Sequence, residues 1–185
     1  MRSPGYAAFL VLALAAAPAQ ATQVQHLDTA QLTRTSSDIL VGRVQGVQSH
    51  WNSAHTKIYT DIAVQVTDAL KGANAPVVSF TQLGGTVGDL RYEVEGCPAF
   101  KNGEEALLFL WRDPKGVAQL NGLGQGKFEI TRDAQGRRMV QRGATGLAIQ
   151  EAHRLSLVPA GRPAPPIPLD DLITEIKTHL AEGGR

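Results

Sequence analysis

A single cysteine in 185 residues excludes an intramolecular disulfide framework and a cysteine-rich zinc module. Neither sign of charge is in excess. Eighteen Lys and Arg against 17 Asp and Glu give a net charge of +1, which excludes a strongly basic nucleic-acid binder. No apolar run reaches the roughly 20 residues of a membrane-spanning helix. What remains is an apolar fraction of 43%, enough for a globular core. The length is that of one domain.

The first residues read as an export signal. Arg2 supplies the positive charge, and Tyr6 to Ala17 is an uncharged run ended by Pro18. Ala19-Gln20-Ala21 then has the small-x-small form of a cleavage site. The cut is expected between Ala21 and Thr22, and no cysteine follows it to carry a lipid. Loss of Arg2 would leave the remaining chain formally neutral. The expected location is periplasmic or secreted, without a transmembrane anchor.

Residues 27–34 (LDTAQLTR) predict a short helix. Residues 39–47 (ILVGRVQGV) predict a strand apolar on both faces at its start, with Gly42 and Gly46 as bulge or bend positions. Residues 57–68 (KIYTDIAVQVTD) alternate. Ile58, Ile62, Val64 and Val66 share one face, and Lys57, Asp61, Gln65 and Thr67 the other. That is a half-buried antiparallel strand, which pairs with the first across a turn at residues 51–55. Further strands are expected at 77–83, 90–94, 106–111, 117–120, 127–131 and 137–142. Residues 84–89 are expected to be a flexible loop, and Asp133 to Gly136 a hairpin turn. Seven or eight short strands with regular turn signals predict a sandwich or barrel.

Pro159, Pro163, Pro165, Pro166 and Pro168 make residues 159–168 a stiff connection. A helix follows over 169–185. Pro168 opens it, and Asp170 and Asp171 suit its positive end. Its stripe of Leu172, Ile173, Ile176 and Leu180 is expected to close one side of the barrel, or else to bind a partner. The organisation is therefore a signal peptide over 1–21, a barrel domain with an N-terminal helix over 22–158, the connection over 159–168, and the terminal helix and tail.

Ser37-Asp38 leads into Ile39-Leu40-Val41-Gly42-Arg43-Val44. The second strand ends in Lys71-Gly72, and Phe100 precedes Gly103-Glu104 and residues 106–111. Over residues 35–112 this resembles the skeleton of secreted netrin-module proteins, the group of the tissue inhibitors of metalloproteinases. The resemblance implies an all-β, OB-like Greek-key barrel with extra strands and a C-terminal amphipathic helix. It also implies binding of a protein partner through a sheet face and loops. The inhibitors reach a catalytic zinc with an N-terminal cysteine. Thr22 at the expected mature N-terminus and the absent disulfides prevent that mechanism from being carried over.

His50 and His55 flank the first turn and are candidates to share a metal, but two ligands are an incomplete site. Asp61 and Glu93 are available as further ligands without any spacing that selects them. Solvated turn histidines are the simpler reading, and no metal or cofactor is expected. Cys97 reads as a small, partly buried apolar residue, with an intermolecular disulfide or a nucleophile as the alternatives. No histidine lies within 40 residues of it to generate a thiolate. Gly122, Gly124, Gly126 and Lys127 fail the phosphate-loop spacing; the glycines read as turn residues, and Lys127 opens a strand that alternates with Phe128 and Ile130 on its apolar face. Glu104 and Glu105 point to opposite faces of a strand and form no acid/base pair. Trp111 is expected in the core. Arg137, Arg138 and Arg142 read as the charged protection of an edge strand.

No hydrolase signature is present. The expectation is a non-enzymatic, exported module that binds another extracytoplasmic protein, with no nucleic-acid ligand; the partner the resemblance implies is a secreted protease, met by surface occlusion. The contact candidates are His50, Trp51, Asn52, His55, Gly84 and Gly85. The rival readings are a small periplasmic hydrolase or metal-dependent enzyme using His50, His55 or Cys97, and a structural envelope component.

Overall fold

The computed structural model describes residues 24–143, 149–150, 157–158 and 164–183. The expected signal peptide, its cleavage site at Ala21 and Thr22, and residues 159–163 of the proline-rich connection lie outside the described residues. Strand β1 is Val24–Gln25, followed by helix α1 (Thr29–Thr35) and strands β2 (Asp38–Trp51), β3 (Ile58–Lys71) and β4 (Val77–Leu83). Then come β5 (Gly85–Val87), β6 (Leu90–Tyr92), β7 (Glu105–Arg112), β8 (Ala118–Leu120), β9 (Lys127–Arg132) and β10 (Arg138–Arg142). The short strands β11 (Ile149–Gln150), β12 (Leu157–Val158) and β13 (Ile167–Pro168) precede helix α2 (Leu169–Gly183).

The main sheet has eight strands. Seven run in the order β13-β10-β9-β7-β2-β3-β4, and β8 pairs with β7. Two smaller sheets are β1-β11-β12 and the hairpin β5-β6. The expected all-β, OB-like barrel is therefore corrected to a mixed α/β fold with open sheets and two flanking helices. The sheet curls enough to bring β4 alongside β8, but no ladder joins them. The netrin-module resemblance falls with the barrel. The residues that carried it do local work. Asp38 Oδ1 accepts from the Ala73 N–H at 2.8 Å, and Gly72 turns there at φ +60° with Asp38 against its α-carbon. Such strand-end chemistry is not specific to one fold.

Two apolar cores sit on opposite faces of the main sheet. Ile39, Val41, Leu107, Phe109, Phe128 and Val140 meet Leu32 of α1 and Leu169, Leu172, Ile173 and Ile176 of α2. On the other face, Leu40, Val44, Ile62, Val64, Phe80, Leu108 and Leu110 pack with Phe100 and Leu120. This explains the unbroken apolar runs of β2 and β7: successive residues enter different cores, and both faces are covered. The stripe of α2 covers a sheet face instead of closing a barrel. Its buried residues are spent within the chain, which also removes them as a partner-binding surface.

Local chemistry sets the element ends. Asp28 caps α1, accepting from the Gln31 N–H at 2.7 Å, while Gln31 Oε1 accepts from the Asp28 N–H at 3.0 Å. This is a capping box. Two of the three register irregularities in the β2–β3 hairpin fall next to Gly42 and Gly46, and the third lies at Ile39–Leu40; glycine is where a strand bends most easily. Asp133 Oδ1 accepts from the N–H groups of Gln135 and Arg137, closing the β9–β10 turn. The expected loop at 84–89 is instead mostly hairpin, because residues 85–87 pair with 90–92. Trp111 is half-buried at the end of β7, not in the core.

Candidate functional site

An open groove of about 740 Å³ lies between the curled sheet and the chain from Gly84 to Phe100. That volume is in the usual range of ligand sites, about 300–1,000 Å³. Its floor is polar. Ser49 Oγ and Thr60 Oγ1 lie 2.8 Å apart on facing strands, and Thr60 Oγ1 donates to the Gly84 carbonyl oxygen at 2.7 Å. Its wall is the stretch from Arg91 to Phe100, which continues from β6.

Gly84 and Gly85 make the entry to this wall. Gly84 has φ +101° and Gly85 φ +138°. A β-carbon on Gly85 would collide with Ser49 Oγ and Thr60 Oγ1, and one on Gly84 would press on the Tyr92 carbonyl oxygen. The backbone thus passes directly over the polar floor. Gly84 is buried and Gly85 half-buried. Both line the groove, but their clearest role is to shape it.

Gln82 Nε2 donates to the Pro98 carbonyl oxygen at 3.0 Å and ties the far wall to β4. Its Oε1 is buried without a hydrogen-bond partner among the described residues. Lys127 holds the same wall from beneath. It is 2% exposed, and its Nζ donates to the Ala99 carbonyl oxygen at 2.6 Å. The ammonium also pairs with Glu104 at 2.5 Å and with Glu129 at 3.4 Å. Two of these contacts are hydrogen bonds, to Ala99 and Glu129, while Glu104 Oε1 is held by charge alone and makes no hydrogen bond among the described residues. The sequence placed Lys127 on a polar strand face. Its burial was not legible, because Ala99 and Glu104 arrive from a loop more than 20 residues away. Glu104 and Glu105 do diverge as expected: Glu105 pairs with Arg43.

Cys97 is half-buried in the groove wall. Burial pushes its thiol above the ordinary value, which disfavours the thiolate a nucleophile needs. The six contact candidates separate. His50 is on the strand face opposite Ser49, since successive side chains alternate. Its Nε2 lies 3.1 Å from Asp61 Oδ2, and Asp61 Oδ1 accepts from Thr81 Oγ1 at 2.6 Å. His55 turns away to stack on Trp51, with ring centroids 6.1 Å apart. Asn52 Oδ1 accepts from the N–H groups of Thr56 and Lys57 and is committed to the turn. Neither histidine faces the other. No group of three metal-ligating side chains is found among the described residues.

The basic residues in and just before β10 are individually engaged. Arg137 pairs with Asp133, Arg138 with Asp170, and Arg142 lies over the Phe128 ring while donating to the Leu27 carbonyl oxygen. β10 is also not an edge, because β13 covers it. The glycines before Lys127 form a tight turn: Gly126 packs against the Asn121 and Phe109 carbonyl oxygens. Among the described residues no helix is long and apolar enough to cross a membrane. No family model matches the chain, and no curated protein or solved structure does so.

Proposed function

We propose that this chain is an exported, non-enzymatic binding module that receives a segment of another extracytoplasmic protein in the groove beneath β5 and β6. The observation that carries the reading is the groove itself: about 740 Å³, open to solvent, with a polar floor and exposed Arg91, Tyr92, Glu93 and Glu95 on its wall. Export rests on the charged, apolar and small-x-small order of residues 2–21. The protease partner is not carried forward, because the resemblance that suggested it does not survive the open sheet. A nucleophilic role for Cys97 is disfavoured by its burial.

The test is photo-crosslinking in the producing cell, with a benzophenone side chain placed at Thr86 or at Asn102. Both positions are exposed, and only Thr86 lines the groove. A crosslinked protein specific to the Thr86 position supports the reading. Equal crosslinking from both positions, or none from Thr86, overturns it.

A further inference from the structure

Resting on the groove reading, we propose that its occupant is an extended, net-basic polypeptide segment that adds as a strand to the free edge of β6. The hairpin β5–β6 is a two-stranded sheet with no third strand among the described residues. Its Val87–Leu90 pair closes the two-residue turn Gly88-Asp89, followed by the pairs Thr86–Arg91 and Gly85–Tyr92. In an antiparallel ladder, hydrogen-bonded pairs alternate with pairs whose backbone groups point outward. With the closing pair hydrogen-bonded, the Arg91 N–H and C=O are directed away from β5. Arg91, Tyr92 and Glu93 are all exposed and all line the groove.

This edge is open to pairing. Residues 90–92 hold no proline or bulge; their shortness and the charge of Arg91 are the devices that limit strand addition here. Leu90 and Tyr92, two residues apart and so on one face, are 61% and 40% exposed. They offer the cross-strand apolar contacts that an incoming strand uses. A three-residue edge supplies few backbone bonds, so the groove floor must supply further contacts.

Charge selects the segment. Between Asp89 and Glu95 the chain carries Asp89, Glu93 and Glu95 against Arg91 alone. Arg91 is already paired with Glu93. Asp89 and Glu95 have no ion-pair partner among the described residues. Lysine or arginine in the occupant would complement them, and because these carboxylates are exposed the attraction would weaken with salt.

The experiment uses the chain beginning at Thr22 and a fluorescein-labelled nonapeptide alternating Lys with Val and Thr, read by anisotropy. Two companion peptides are the same sequence with N-methyl groups on alternate amides, and a version with Glu in place of Lys. The expected result is binding of the Lys peptide and a loss of about tenfold or more for each companion, the scale of one or two lost hydrogen bonds. Arg91→Pro should weaken binding similarly, since an outward N–H tolerates proline without loss of the hairpin. Arg91→Ala should bind the Lys peptide at least as tightly as the wild type, because it frees Glu93; the contrast with Arg91→Pro isolates the backbone N–H from the side chain. Unchanged denaturation midpoints establish that both variants fold.

Equal binding of the N-methylated peptide, or no binding of the Lys peptide at millimolar concentration, overturns strand addition. Thr86→Trp, which fills the groove, separates the two readings. If it abolishes binding that N-methylation leaves intact, the groove stands and strand pairing falls. If it has no effect while N-methylation does, the edge stands and the groove falls.

Discussion

Lys127 sits 4.4 Å from the centre of the Phe100 ring, with its ammonium enclosed by the loop that forms the groove wall. Phe100 in turn packs edge-on against Phe80 at 5.3 Å between centroids. One buried cation therefore links the wall to β9, and one ring links it to the core beneath β4. The position of the groove depends on this pair as much as on the residues that line it.

Lys127→Met is expected to lower unfolding stability by about 3 kcal/mol, because it leaves Glu104 partly buried without its cation. Adding Glu104→Gln should restore part of that loss. Urea denaturation of the single and double variants measures it. Equal loss in both would mean that the ion pair is not the source.

Glycine substitutions around the hairpin should differ sharply. Gly85→Ala meets Ser49 and Thr60 as well as an unfavourable φ, and is expected to cost about 2–3 kcal/mol. Gly88→Ala, with φ +59° and nothing within 4 Å, should cost only about 1 kcal/mol from left-handed backbone strain. The comparison of their denaturation midpoints is the check, and the reverse order would contradict the close passage of β5 over β2 and β3.

The Cys97 thiol should react slowly with iodoacetamide in the folded chain and at the rate of a simple thiol peptide in urea. Its folded pKa lies above the ordinary 9.0 because burial disfavours the thiolate. The folded state therefore holds the proton more tightly, and stability falls as pH rises from about 9 toward the raised value. Cys97→Ala should flatten that alkaline slope. A folded thiol as reactive as the peptide would count against the burial.

Asp38→Ala should destabilise the chain by about 2–4 kcal/mol. The carboxylate is almost wholly buried and serves both the Ala73 N–H and Arg112 Nε, at 2.8 and 2.9 Å. Removing it leaves a buried donor unsatisfied. Thermal unfolding reads the loss directly, and a change below 0.5 kcal/mol would show that the turn at 71–73 is held by other contacts.

The local elements were legible in the sequence. Alternation from Ile58 to Val66 placed β3, the glycines at 42 and 46 marked where β2 bends, and the stripe from Leu172 to Leu180 placed α2. These signals are short-range: a side-chain period, a turn residue or a cap is written within a dozen positions. That the sheet stays open is set by long-range packing. The apolar runs of β2 and β7 fit a barrel interior and a helix-covered sheet equally well, and α2 packing on Ile39, Leu107 and Phe109 selects the second. The groove was illegible for the same reason. Its floor comes from β2, β3 and β4, its wall from residues 91–100, and its anchor from Lys127. No local pattern records that these meet, because burial of a charge is set by what folds over it.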